Sequence, residues 1–111
     1  MACFVAALAG FGFACSSSPE CPNDLPASCP SGAPGYAMTV EPVIAERCLE
    51  CHGNGQLTGH DLSSWQLVHQ QSSAVLDQVY GCVMPPADAG QLTATERKEL
   101  LDWLVCGSPN D

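Results

Sequence analysis

Cys48-Leu49-Glu50-Cys51-His52 is the stretch that decides how this chain is read, and Met84-Pro85-Pro86 answers it 32 residues further on. In a helix, positions i, i+3 and i+4 share a face, with neighbouring Cβ atoms roughly 5–6 Å apart. Cys48, Cys51 and His52 therefore present two thiols and an imidazole to one side. The residues before them predict a helix from about Thr39 to His52. Thr39 is placed to cap it, Glu41 and Pro42 suit its first turn, and Val43, Ile44 and Leu49 supply apolar positions. Gly53-Asn54-Gly55 then breaks it.

The pattern C-x-x-C-H is the signature of covalent haem attachment. Two sulfurs bond the two vinyl groups of one porphyrin, and the histidine points a ring nitrogen at the iron. With eight cysteines and three histidines in 111 residues, chance produces the pattern only roughly 0.015 times per chain. Two other chemistries use the same residues. A thioredoxin-like redox pair would want a βαβ context, which is missing. A zinc site would take Cys48, Cys51, His52 and a distant cysteine, but structural zinc usually brings a second closely spaced ligand pair. Cys82 and Cys106 are 24 residues apart.

Composition narrows the partners. The formal net charge is −9, with only three basic residues, Arg47, Arg97 and Lys98. Nucleic-acid binding needs clustered Lys and Arg and is excluded on that ground. An acidic surface suits redox partner proteins with a basic docking face, although acidity also serves solubility alone. Eight cysteines in so short a chain point to an oxidising compartment.

Along the chain, residues 1–14 are apolar, too short for a membrane span, and resemble the hydrophobic region of a secretory signal. Ala14-Cys15 followed by Ser16-Ser17-Ser18-Pro19 resembles a bacterial lipoprotein processing site, which makes Cys15 the lipidation candidate. Gly12 stands where such sites usually place leucine. The expectation is an exported protein, periplasmic or lipid-anchored to the cell envelope. Residues 15–37, rich in Ser, Pro, Gly and Cys, read as an irregular tether. Residues 38–111 read as an all-α domain. A second helix is expected from Ser63 or Ser64 to about Tyr80, with Trp65, Val68, Ser72, Val75 and Val79 on one stripe. Thr93-Ala94-Thr95-Glu96 is a capping box that opens a last helix, with Leu100, Trp103 and Leu104 inward and Gly107 at its end.

Pro85 keeps Met84 out of helical geometry, and the two prolines stiffen a strap that can carry a sulfur across a haem face. A Met/His pair raises the haem potential and closes the iron to other ligands. Alternatives for the second axial position are Met38, His60 and His69. Met38 lies too near the attachment helix, and His69 falls on the polar side of the second helix as a solvated surface residue.

From about Met38 to Pro109 the chain resembles a small class I mono-haem cytochrome c of the bacterial periplasm. The matching elements are CLECH, the GCVMPP strap and the closing LTATERKELLDWLVCGSP helix. The resemblance implies a few helices wrapped around one covalent haem c, attached at Cys48 and Cys51. It implies iron ligation by His52 and Met84, and electron transfer rather than catalysis. Cys82 and Cys106 are additions to that pattern, and the span between His52 and Met84 is short for it.

The cysteine count then closes. Two hold haem, Cys3 leaves with the signal, Cys15 is lipidated, and Cys21, Cys29, Cys82 and Cys106 remain for two disulfides. Three connectivities are possible; locality favours Cys21–Cys29 with Cys82–Cys106. Two further functions stay open: a haem-based sensor or peroxidase-like enzyme with a displaceable sixth ligand, and an exported disulfide-bonded or zinc-binding interaction module.

Overall fold

Tyr36, Val40, Ile44 and Cys48 recur every four residues, so a helical backbone stacks them along one side. That stripe meets the C-terminal helix, and its meeting partner is Trp103, whose ring centre lies 5.6 Å from that of Tyr36. The computed structural model describes residues 21–55 and 59–111, and there it is helical with no strand. The signal-like segment 1–14, with Cys3, and the lipidation candidate Cys15 lie outside the described residues. Among the described residues, no helix is long and apolar enough to cross a membrane.

A π-helical turn, Tyr36–Val40, leads into α1 (Glu41–Arg47) and α2 (Leu49–His52). The expected helix from Thr39 to His52 therefore begins earlier, and Thr39 does not cap it. Gly35 is the N-cap and makes no side-chain bond. Burial of Tyr36 and Val40 against the C-terminal helix draws the backbone into helical form ahead of Thr39. The wide turn ends at Val40, two residues before Pro42, which has no N–H to continue a regular ladder. The run is also interrupted at Cys48, which lies between α1 and α2.

The second expected helix is divided too, into α3 (Trp65–Gln70) and α4 (Ser72–Tyr80). Ser64 caps α3 as expected, its Oγ accepting from the Leu67 N–H at 3.2 Å. The division falls at Gln71, whose side-chain amide donates to the Leu67 carbonyl at 3.0 Å. An unbroken α-helix would give that carbonyl to the Gln71 backbone N–H. That N–H bonds Val68 instead, three residues back, at 3.1 Å.

The last helix, α5 (Ala94–Val105), follows its sequence signals closely. Thr93 Oγ1 accepts from Glu96 N–H at 3.1 Å, while Glu96 Oε1 accepts from Thr93 N–H at 2.8 Å. At the other end Gly107 takes φ +88°, and the Gly107 and Ser108 N–H groups reach back to Leu104 and Trp103. This is a Schellman closure, for which a residue free of Cβ is the least strained choice. Leu100, Leu101, Trp103 and Leu104 are all buried; Leu101 belongs to the inward face along with the three residues expected there.

Both tryptophans hold the C-terminal tail. Trp103 Nε1 donates to the Pro109 carbonyl and Trp65 Nε1 to the Ser108 carbonyl, each at 2.9 Å. The tail continues to Gly35, where an added Cβ would lie 2.8 Å from the main-chain oxygen of Asp111. Residues 21–35 contain no helix or strand, as their prolines predict, yet they are fastened along the domain. Tyr80 donates its hydroxyl to Asn23 Oδ1, and Arg97 pairs with Asp24 at 2.8 Å.

The disulfides correct the pairing expected from locality. Cys21 joins Cys82 and Cys29 joins Cys106, with Cα–Cα distances of 5.7 and 4.6 Å. Docking of the 21–35 segment onto α4 and α5 brings those partners within bonding range, and disulfide geometry is decided by such distances. Sequence proximity counts for little, because loop-closure entropy grows only slowly with loop length.

Candidate cofactor site

Cys48 and Cys51 are the free cysteines among the described residues; every other described cysteine is in a disulfide. Helical bonds hold their spacing. The Cys51 and His52 N–H groups both donate to the Cys48 carbonyl, at 3.2 and 2.9 Å. Cys51 is exposed, whereas Cys48 is half-buried and packs against the apolar core. Burial pushes the Cys48 thiol up to about 11, so it stays protonated at neutral pH. An activated redox cysteine needs the opposite shift, so Cys48 is not set up as the attacking thiol of a thioredoxin-like pair.

His52 is held through its side chain and its main chain by the loop that follows. Its Nδ1 lies 2.8 Å from the His60 carbonyl oxygen, and its own carbonyl accepts from Leu62 N–H at 2.7 Å. A carbonyl can only accept, so Nδ1 carries the proton. In the neutral ring the lone pair then sits on Nε2. A histidine that ligates a metal characteristically has its other nitrogen fixed in this way.

The His60 carbonyl is in turn placed by Gln71. The Gln71 amide nitrogen donates to the Asp61 carbonyl at 3.0 Å, and its oxygen faces His60 Nδ1 at 3.3 Å. This is the second use of the residue that divides α3 from α4. His60 is a sequence candidate for the axial position; in the structure its carbonyl goes to His52 and one ring nitrogen to Gln71. Only the run of polar residues Gln70-Gln71-Ser72 in the middle of an expected helix hinted at the break.

His69 lies on the surface, as the polar side of the second helix predicts. Its ring is exposed, but it stacks on Trp65 with centres 4.8 Å apart, and Nδ1 lies 2.6 Å from Ser108 Oγ. From the surface it also braces the C-terminal tail, a contact the sequence does not announce. The Ser108 hydroxyl is fully buried, so this close pair offers no reachable nucleophile.

Met84 sits in the loop after α4, reached through Cys82 at φ +59°. The Val83 and Met84 N–H groups both donate to the Gln78 carbonyl, at 2.9 and 3.0 Å. Beyond it, the Gln91 side-chain amide donates to the Pro86 carbonyl at 2.5 Å and to those of Pro85 and Ala89 at 3.3 Å. The strap is thus fixed at both ends, while Val83 and Met84 remain 55% and 36% exposed. Met38, the other methionine weighed for the axial position, is 88% exposed on the π-helical turn.

Two thiols three residues apart, an imidazole protonated on Nδ1 and, on a separate loop held at both ends, a thioether are the donor types that a covalent haem would take. The same set fits zinc less well. Cys82 and Cys106 are consumed by disulfides, and among the described residues no group of three His, Cys, Asp or Glu side chains is arranged to hold a metal ion. Compared with family models, curated proteins and solved structures, the chain matches none.

Proposed function

We propose that the chain is a small exported cytochrome of the c type, carrying one haem on Cys48 and Cys51 and passing single electrons between protein partners. The observation that carries this reading is the state of the C-x-x-C-H residues. Cys48 and Cys51 stay out of the disulfides that take the other four described cysteines, and the His60 carbonyl fixes the His52 tautomer. When bound, the haem supplies a one-electron iron couple whose potential is raised by methionine ligation.

The chain's own residues supply the rest. Cys48 and Cys51 anchor the ring covalently, so a small domain needs no deep pocket. His52 offers Nε2 to the iron, and its bond to the His60 carbonyl increases the basicity of the ring. Met84 offers a soft sulfur from a strap held by Gln78 and Gln91. A strap restrained at both ends limits rearrangement between oxidation states and keeps other ligands away.

Partner choice follows from charge. Arg47, Arg97 and Lys98, the chain's three basic residues, pair with Glu96, Asp24 and Asp102 respectively. The outward field is therefore negative, which steers the protein toward a basic docking face. Two disulfides are compatible with an exported protein. Lipidation of Cys15 would add a membrane tether; loss of fatty-acid labelling in Cys15→Ser is its test.

The functional test is expression with a cytochrome c maturation system, a denaturing gel stained for haem, and visible spectra of both oxidation states. Covalent haem with a low-spin spectrum and the weak iron–methionine sulfur band, lost in Met84→Ala, supports the electron carrier. Covalent haem with a high-spin spectrum and rapid carbon monoxide binding overturns the closed-carrier reading in favour of a sensor or enzyme. A complete absence of haem ends the cytochrome reading.

A further inference from the structure

Two separate parts of the chain, the end of α4 and the segment after Cys21, converge on one side chain, Arg97 of α5. Its Nη1 donates to the Val79 carbonyl at 2.7 Å and its Nη2 to the Tyr80 carbonyl at 3.2 Å. These are carbonyls at the C-terminal end of α4, which lack partners within the helix and lie where a positive charge is favoured. On its other side the guanidinium grips both Asp24 oxygens, from Nε at 2.8 Å and from Nη2 at 2.9 Å. Asp24 lies three residues beyond Cys21, and Cys21 is bonded to Cys82, two residues before Met84. Nη1 itself lies 3.7 Å from the Cys82 sulfur.

We propose that Arg97 is the positioning residue for Met84, because it clamps the end of α4 to the Asp24 segment and so fixes the turn from which Met84 projects. The inference rests on Met84 being the iron's second axial ligand. The mechanical chain is short. Arg97 holds Val79 and Tyr80; the Val83 and Met84 N–H groups close onto Gln78 of the same helical end; and the disulfide holds Cys82 between them. A guanidinium serves this place because its planar fork bonds two carbonyls and a carboxylate at once, which a lysine ammonium on a flexible stem matches poorly. Arg97 reaches the site only through these groups. It therefore acts on the geometry of the sulfur rather than on the iron.

The test compares the disulfide-intact, haem-loaded chain with Arg97→Gln and Arg97→Lys, reading amide hydrogen exchange and the iron–methionine sulfur band. In Arg97→Gln the Val83 and Met84 amides should exchange at least tenfold faster, with Ile44 and Leu101 unchanged. The sulfur band should weaken or vanish while haem staining on the gel stays constant, and Arg97→Lys should fall between the two. Unchanged exchange at Val83 and Met84, or an unchanged sulfur band, would overturn the proposal. So would equal acceleration at all four amides, which signals general loosening. Should Arg97→Gln fail to fold, Asp24→Asn removes only the outer anchor, and a smaller acceleration confined to the same two amides is then required. A wild-type chain without covalent haem would sink the cytochrome reading, and amide exchange at Met84 would still decide whether Arg97 holds the turn.

Discussion

Nδ1 of His52 donates to the carbonyl oxygen of His60 across 2.8 Å, and the Gln71 side chain fixes the loop that carries that carbonyl. Three residues from three parts of the chain thus determine which nitrogen of one imidazole carries the proton. The same Gln71 divides the helix between Ser64 and Tyr80, so the break and the histidine tautomer have one structural origin.

Replacing Gln71 with alanine should loosen that loop. The lost hydrogen bonds should cost about 1–2 kcal/mol, read as a lower denaturant midpoint at unchanged slope. A weaker bond at Nδ1 makes the ring less basic, so the potential of the loaded protein should move in the positive direction. Redox titration of Gln71→Ala beside the wild type checks the second effect.

The disulfide pairing is open to a direct chemical test. Trypsin can cut only after Arg47, Arg97 and Lys98. With Cys21–Cys82 and Cys29–Cys106, a non-reducing digest keeps peptides 1–47, 48–97 and 99–111 joined as one species. Local pairing would release 1–47 by itself. Further cleavage before Asp24 separates Cys21 from Cys29 and distinguishes the third connectivity, Cys21–Cys106 with Cys29–Cys82.

Acid should weaken the fold at two identified carboxylates. The backbone N–H of Thr93, then Arg47, holds Glu96 below its ordinary value of 4.5; the hydrogen bond from Arg97 holds Asp24 below 3.8. Both groups bind protons more weakly in the folded chain than in the unfolded one. Their stabilisation is therefore fully present above those ordinary values and is lost as pH falls through the lowered ones. Glu96→Gln should make the acid arm of the stability–pH curve shallower below about pH 4.5. Denaturant midpoints measured from pH 7 to pH 2 supply the curve.

Ser108→Ala should cost about 1 kcal/mol, since it removes a buried hydroxyl that His69 meets at 2.6 Å. The same burial predicts that a fluorophosphonate leaves the wild-type chain unlabelled. Labelling at Ser108 would show that this end of the molecule opens.

Signals confined to a few neighbouring residues were legible in the sequence. The Thr93/Glu96 box, the Ser64 cap and the Gly107 closure each depend on groups within one turn, and each appears where its residues predicted. The helical spacing of Cys48, Cys51 and His52 is local in the same sense. Less legible were features in which a side chain competes with the backbone or a distant segment docks. Gln71 at Leu67, Tyr36 on Trp103 and His69 on Ser108 belong to this group.

By itself, the sequence determined a helical domain, an acidic chain, and two thiols and an imidazole at C-x-x-C-H spacing. Those properties follow from residue type and from periodicity along one segment. Tertiary structure decided the pairing of Cys21 with Cys82 and of Cys29 with Cys106, the His60 carbonyl at His52, and the Arg97 clamp behind Met84. The disulfides and the Arg97–Asp24 pair join groups 61, 77 and 73 residues apart in sequence, and the His60 carbonyl reaches His52 from eight residues further on. Such contacts depend on how segments dock, which periodicity along one segment does not encode.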